Sequence, residues 1–169
     1  MAYRFLQDGK LDRAGVIAEL RNFLDVLIKN SRLELQFELR ERELHEDELE
    51  HPEVRVLFRG RDHELLLERN AELLLAIEYI AHRWLRLDPR FYDHVQFDCN
   101  DYRALRLEEL KLTARVAAER VVASRQPMRL NPMSARERRI IHLALKDFAG
   151  VRTESDGAGE HRVVVIHPA

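Results

Sequence analysis

Pro127 and Pro132 bracket the stretch Pro127-Met128-Arg129-Leu130-Asn131-Pro132. No α-helix can run through it, because each proline ring removes a backbone donor and clashes with the carbonyl four residues earlier. Helical structure must stop before Pro127 and begin again after Pro132. This predicts a junction, with one unit over residues 1–126 and a second over residues 127–169. At 169 residues, 46% of them apolar, the chain is long enough for one large domain or two small ones and can bury a core.

The helix that restarts is easy to locate. Ser134 followed three positions later by Glu137 is a capping-box spacing, in which the hydroxyl and the carboxylate each satisfy a backbone donor of the first turn. In a helix begun there, Arg138 and His142 stand one turn apart on one face, with Arg136 and Arg139 beside them. Ile140, Ile141, Ala144, Leu145 and Phe148 fall largely on the other side and are expected to be buried. Gly150 is expected to cap the helix C-terminus. An anchored helix presenting cations suits phosphate, because the planar guanidinium fork can make two parallel charge-assisted hydrogen bonds. A solvated helix face is the other reading of the same stripe.

Bulk charge makes no case for nucleic acid: 28 Lys and Arg against 30 Asp and Glu leave a formal net charge of -2. Any such case is local. Residues 127–169 hold seven basic and five acidic side chains, whereas residues 1–126 carry a net -4. Cys99 is the single cysteine, so no internal disulfide can form and a buried apolar role is expected for it. Arg4, Asp8, Lys10 and Asp12 interrupt the first residues, which excludes a secretory h-region there, and no apolar run reaches membrane length. A cytoplasmic protein without a membrane segment is expected.

In the first unit, Val16, Ile17, Leu20, Phe23, Leu24, Leu27 and Ile28 repeat at helical spacing. Leu33 to Arg40 alternates apolar and polar as a strand with one wet face, and Val54 to Phe58 resumes the alternation, antiparallel to it, up to Gly60. Between them Glu41 to Glu53 reads as a solvated acidic loop. Its His45, Glu46, Asp47, Glu48, Glu50 and His51 lack the HExxH spacing, since position 49 is Leu, and no metal site is assigned. A short helical stretch over 61–69 breaks near Arg69-Asn70. A strong helix follows, with Leu73, Leu74, Ile77, Ile80, Ala81 and Trp84 expected to face inward. Trp84 continues that stripe and is expected in the core. His94 to Cys99 is the third strand, and residues 101–124 form a long helix with Leu107, Leu110, Ala114, Ala117 and Val121 as its seam. The predicted class is α+β, in the order α-β-β-α-α-β-α. Beyond the capped helix, Val151 to Ser155 and Arg162 to Ile166 read as a β-hairpin around residues 156–160.

The run Asn131 to His142, then Gly150 to Gly157 and Arg162 to Ile166, closely resembles the R-3-H domain, named for an Arg and a His separated by three residues, here Arg138 and His142. The form is similar to the bacterial Jag (SpoIIIJ-associated) family, in which an R-3-H domain follows a KH domain. The α-β-β-α-α-β-α order resembles that KH domain, of type II order, so the resemblance covers residues 11–168. The extra N-terminal Jag domain of some relatives is expected to be missing. The resemblance implies that Arg138 and His142 bind nucleic acid, and that Arg162, where the family usually has a basic residue, extends the surface. Arg136 and Arg139 are counted with the same cationic face, while Lys146, Arg129 and Arg152 are weaker candidates, as well explained as solvated charge. Ser155 and Gly157 can offer a hydroxyl and a close amide, although turn formation explains them as well.

One departure stands out. KH domains clamp nucleic-acid backbone with a GxxG loop whose glycines admit the phosphates closely. The corresponding residues here are Glu68, Arg69, Asn70 and Ala71, so both glycines are absent and Glu68 adds negative charge beside Glu64 and Glu72. A degenerate loop of this kind points to a scaffold or dimerisation role for the first unit.

The expected function is therefore non-enzymatic binding of RNA or single-stranded nucleic acid through the Arg138–His142 helix, in bacterial RNA-linked regulation. No cofactor, metal, membrane or small-molecule substrate is expected. His142 has no nucleophile or orienting carboxylate at a supporting spacing to make it a general base. The rival is a protein-interaction adaptor, in which the KH-like half pairs with itself or another KH protein. That rival requires an apolar patch around residues 61–86 or an exposed sheet edge.

Overall fold

The computed structural model describes residues 3–7, 9–41 and 52–169. The acidic cluster between His45 and His51 lies outside the described residues. The class is α+β. The chain divides into two compact units, Met1–Tyr102 and Arg103–Ala169.

The first unit opens with a short hairpin, β1 (Leu6–Gln7) and β2 (Lys10–Leu11), that leads into α1 (Arg13–Ser31). The Asp12 carboxylate caps α1 by accepting from the Gly15 N–H at 3.0 Å. Val16, Leu20 and Leu24, one turn apart, are fully buried, as their spacing predicts. β3 (Leu35–Glu41) and β4 (Val54–Gly60) pair antiparallel with Phe37 opposite Phe58 and Leu39 opposite Val56. β5 (Val95–Cys99) adds on the other side of β4, parallel to it, so the sheet order is β3-β4-β5. A parallel neighbour demands a crossover, here α2 (His63–Trp84) and a 3₁₀ turn over Pro89–His94. All five residues of β5 are buried, Cys99 included. His82 ties the crossover down: its Nε2–H donates to the Val95 carbonyl at 2.8 Å while its ring stacks on Tyr92.

α2 is interrupted where the sequence indicates a break. Glu68 is extended at φ -56°, ψ 149°, and Arg69, Asn70 and Ala71 follow with φ of 51°, 61° and 61°, all left-handed. Beyond this turn the inward face is narrower than expected. Leu74, Ile77 and Ala81 are buried, but Leu73, Ile80 and Trp84 are exposed, Trp84 to 56%. Trp84 lies against Phe23 and donates its indole N–H to Glu19 at 3.0 Å, so α1 supports it from one side only. Glu53 also departs from expectation. It is not solvated but 9% exposed, bonded to His94 Nδ1 at 2.7 Å and within 3.6 Å of Arg13 Nε.

The second unit contains α3 (Tyr102–Ser124), β6 (Met128–Arg129), α4 (Ala135–Ala144), β7 (Val151–Asp156) and β8 (Val163–Pro168). β8 is the central strand, antiparallel to β6 and to β7. Leu110, Ala114, Ala117, Ala118 and Val121 of α3 are buried in one cluster with Ile140, Ile141 and Leu145 and with Val164 and Ile166 of β8. The seam of α3 is thus the one expected, but it packs in the second unit. The division falls ahead of α3 rather than at the prolines, because three alanines on that seam let helix and sheet close together around one core. Ala144 is exposed, and α4 ends there. Gly150 does not cap it; at φ 84° it turns the chain into β7 instead. No helix among the described residues is long and apolar enough to cross a membrane.

Candidate nucleic-acid interface

The interface is built on the start of α4. Both halves of the capping box are formed: Ser134 Oγ accepts from the Glu137 N–H at 3.2 Å, and Glu137 Oε2 accepts from the Ser134 N–H at 2.9 Å. The remaining oxygen of Glu137 takes Arg106 of α3, with Nε and Nη2 both 2.8 Å away. Burial pushes the Glu137 carboxyl up, but the Ser134 and Arg106 hydrogen bonds and the Arg106 charge outweigh it, and the net shift is below the usual carboxylate range. Arg106 also holds Glu109 at 2.9 Å. The only acidic residue of α4 is thus turned into the scaffold, away from the cationic face.

One turn on, Arg138 is half-buried and donates through Nη1 to the Met133 carbonyl at 2.8 Å. The Met133 N–H in turn donates to the Arg162 carbonyl at 3.3 Å, so this one residue ties the start of α4 to the start of β8. His142 completes the group. Its Nδ1 bonds Thr153 Oγ1 at 2.7 Å and its Nε2 bonds Ser155 Oγ at 2.9 Å. Burial lowers the pKa of His142, and the positive charges of Arg138 and then Arg162 lower it further, which leaves the imidazole neutral near pH 7. Among the described residues no carboxylate pairs with Arg138 or Arg162.

The structure therefore brings together three of the predicted binding residues, the cationic Arg138 and Arg162 and the neutral His142. It does not add the others. Arg136 is half-buried and two residues back, on the far side of α4 at 3.6 residues per turn. Arg139 is exposed a quarter-turn round, and Lys146 is exposed beyond the helix end. Arg129 is committed to Asp156 at 2.7 Å, a clasp across the sheet that holds the Asp156 carboxyl below its usual value. Sequence reasoning overlooks Thr153. The signal available was the alternation of β7, which puts Val151, Thr153 and Ser155 on one face and Arg152, Glu154 and Asp156 on the other. Glu68, Arg69, Asn70 and Ala71 form the left-handed turn within α2, in the first unit; Arg69 is 84% exposed with Glu72 3.9 Å away. Among the described residues no three His, Cys, Asp or Glu converge as metal ligands.

Residues 108–168 match the R-3-H domain family. Over 115 residues the chain is 34% identical to a Bacillus subtilis (strain 168) protein named RNA-binding protein KhpB, covering 67% of this chain and 55% of that protein. A Clostridium symbiosum protein of the same name is 32% identical over 114 residues, 68% of this chain and 51% of its own. One from Streptococcus pneumoniae serotype 2 is 37% identical over 99 residues, 57% and 30% of the respective chains. The chain spans about half the length of the first two of these relatives.

Proposed function

Because this chain belongs to the Jag family of proteins with an R-3-H domain, we propose that it is a non-enzymatic nucleic-acid-binding protein that holds the phosphate backbone of single-stranded RNA on the face carrying Arg138, His142 and Arg162. The observation that carries this reading is their convergence on a surface from which Glu137, the one nearby acid of α4, has been withdrawn into bonds with Ser134 and Arg106. The names of the relatives point to RNA. A cytoplasmic role in bacterial RNA-linked regulation follows from the same resemblance. Phosphate contacts position a strand without reading its bases, so binding by this unit has little sequence preference. The test is binding to single-stranded RNA over a series of salt concentrations. Arg138→Ala weakens binding for all sequences and flattens the salt slope by about one unit. Unchanged affinity and slope remove α4 from the account.

A second reading is favoured by one observation in the first unit. There the mixed sheet, the α-β-β-α order and the turn at residues 68–71 support a KH-like domain whose phosphate loop is degenerate. Leu73, Ile80 and Trp84 leave an exposed apolar stripe on α2. On this reading the first unit pairs through that stripe with a second copy or with another KH protein. Light scattering separates the two readings. A stable dimer that ignores RNA, and that Ile80→Asp dissociates, favours the adaptor; a monomer that binds RNA favours the first.

A further inference from the structure

His142 cannot itself donate freely to a phosphate, because both of its ring nitrogens are already occupied by hydroxyls, Thr153 Oγ1 at 2.7 Å and Ser155 Oγ at 2.9 Å. Thr153 and Ser155 are each only partly buried, so their side chains remain in reach of solvent beside the ring. In the neutral imidazole one nitrogen donates and the other accepts. One hydroxyl therefore receives the ring N–H and keeps its own hydrogen to point elsewhere. The other must give its hydrogen to the ring and presents only lone pairs, which an anion avoids. In the imidazolium both nitrogens donate, and both hydroxyls have hydrogens to spare. The ring thus sets how many donors the pair of side chains can offer.

On the premise that this face holds nucleic acid, we propose that a backbone phosphate is received by the hydroxyls of Thr153 and Ser155, between Arg138 and Arg162, and that His142 takes up a proton as the phosphate binds, so that both hydroxyls donate to it. One proton passes from solvent to the ring, no other covalent bond changes, and the one hydroxyl hydrogen that pointed at the ring rotates away, so that both hydroxyls have a hydrogen to donate. The charges around the ring fit a site that waits for an anion. From its own helix His142 faces Arg138, from the start of β8 it faces Arg162, and from β7 it meets only the two hydroxyls. Glu154 and Asp156 are on the opposite face of β7, held by His167 and Arg129. In the free protein both guanidinium groups and burial oppose protonation. A phosphate placed among them removes that opposition, since its charge offsets theirs. The sign follows from linkage: binding takes up a proton, so affinity rises as pH falls, over the window between the free and bound pKa values of His142. The phosphodiester has no titration of its own near neutrality to confuse the reading. The assignment makes Thr153 and Ser155 phosphate-binding residues and His142 a positioning residue that acts through them.

The test uses the full chain and a single-stranded oligouridine at constant ionic strength, from about pH 8 to about pH 5.5. The parent is expected to bind about tenfold more tightly at the acid end. His142→Gln can still donate once and accept once but cannot take up the proton, and should lose that gain. The ring C–H resonance of His142, titrated by NMR, should move to higher pKa when oligouridine is bound. The double variant Thr153→Val with Ser155→Ala keeps the ring and the phosphate charge but removes the hydroxyls, and should lose most of that rise. No rise in the parent overturns the proposal, without recourse to any variant. A rise that survives in the double variant overturns it too, because the coupling would then be through space. Failure of the premise looks different: Arg138→Ala would bind oligouridine as tightly as the parent at every pH.

Discussion

Replacing Glu137 with alanine tests how the start of α4 is held without touching Arg138, His142 or Arg162, the residues proposed to form the interface. Two losses can be worked out. The capping box goes, and with it the satisfaction of the Ser134 N–H; losses at a helix N-cap run at about 1 kcal/mol. Arg106, with its side chain only 22% exposed, is left with Glu109 alone, and taking the nearer partner from a part-buried guanidinium costs about another 1 kcal/mol. The sum, about 2 kcal/mol, is large for a unit of this size and corresponds to a melting point lower by roughly 8–16 °C. Glu137→Gln keeps the shape and one acceptor oxygen, and should cost about half as much. Urea denaturation of the full chain gives the free energies, and hydrogen exchange at the Glu137 and Arg138 amides shows whether the loss lies in the first turn of α4. The pH dependence is a second check. The Glu137 carboxyl titrates below its unfolded value, so its contribution is complete above that value and drains away as pH falls through the folded one. In the alanine variant that part of the acid sensitivity disappears. A Glu137→Ala variant within about 0.5 kcal/mol of the parent, with unchanged exchange in the first turn, would refute this account of the scaffold.

Gly60 should not accept a side chain: at φ 130° an added Cβ would run into the Glu34 carbonyl and lie 2.9 Å from Leu35 Cα, both backbone atoms of the neighbouring strand segment. Gly60→Ala is expected to cost about 2 kcal/mol or more by chemical denaturation, and a neutral result would contradict the pairing of β3 with β4. The turn in α2 gives a paired test. Arg69 is left-handed at φ 51°, so Arg69→Gly relieves about 1–2 kcal/mol of steric strain against about 0.5–1 kcal/mol of chain entropy, and should be slightly stabilising. Glu68 is extended, so Glu68→Gly brings only the entropy cost, even though a KH loop carries a glycine there. Arg129→Ala removes an exposed ion pair with Asp156 and should move stability by less than about 1 kcal/mol and leave the salt slope of RNA binding as it was.

What could be read from the sequence divides by how local its cause is. The capping box, the hairpin and the break at Arg69-Asn70 depend on residues within a few positions of one another, and each stands where its local chemistry puts it. The errors arise where a partner far along the chain decides. Leu73, Leu74, Ile77, Ile80, Ala81 and Trp84 cover too wide an arc of α2 for periodicity to say which edge the sheet covers, and the structure leaves Leu73, Ile80 and Trp84 outside. Glu53 belongs to an acidic run by sequence but to His94 by contact, 41 positions away, so its neighbours in sequence misplace it. The seam of α3 was legible, but a seam does not name the surface it closes on. The same division runs through the interface. Arg138 and His142 show as a pair because a helix brings i and i+4 together, whereas Thr153 is overlooked and the Ser155 hydroxyl cannot be told from a turn residue. Thr153 and Ser155 meet His142 only when β7 lies against α4, and their hydroxyl hydrogens are set by an imidazole 11 and 13 residues earlier. The Arg-His spacing marks the helix face on which we propose the phosphate is held, and the strand opposite supplies the hydroxyls that occupy both nitrogens of His142.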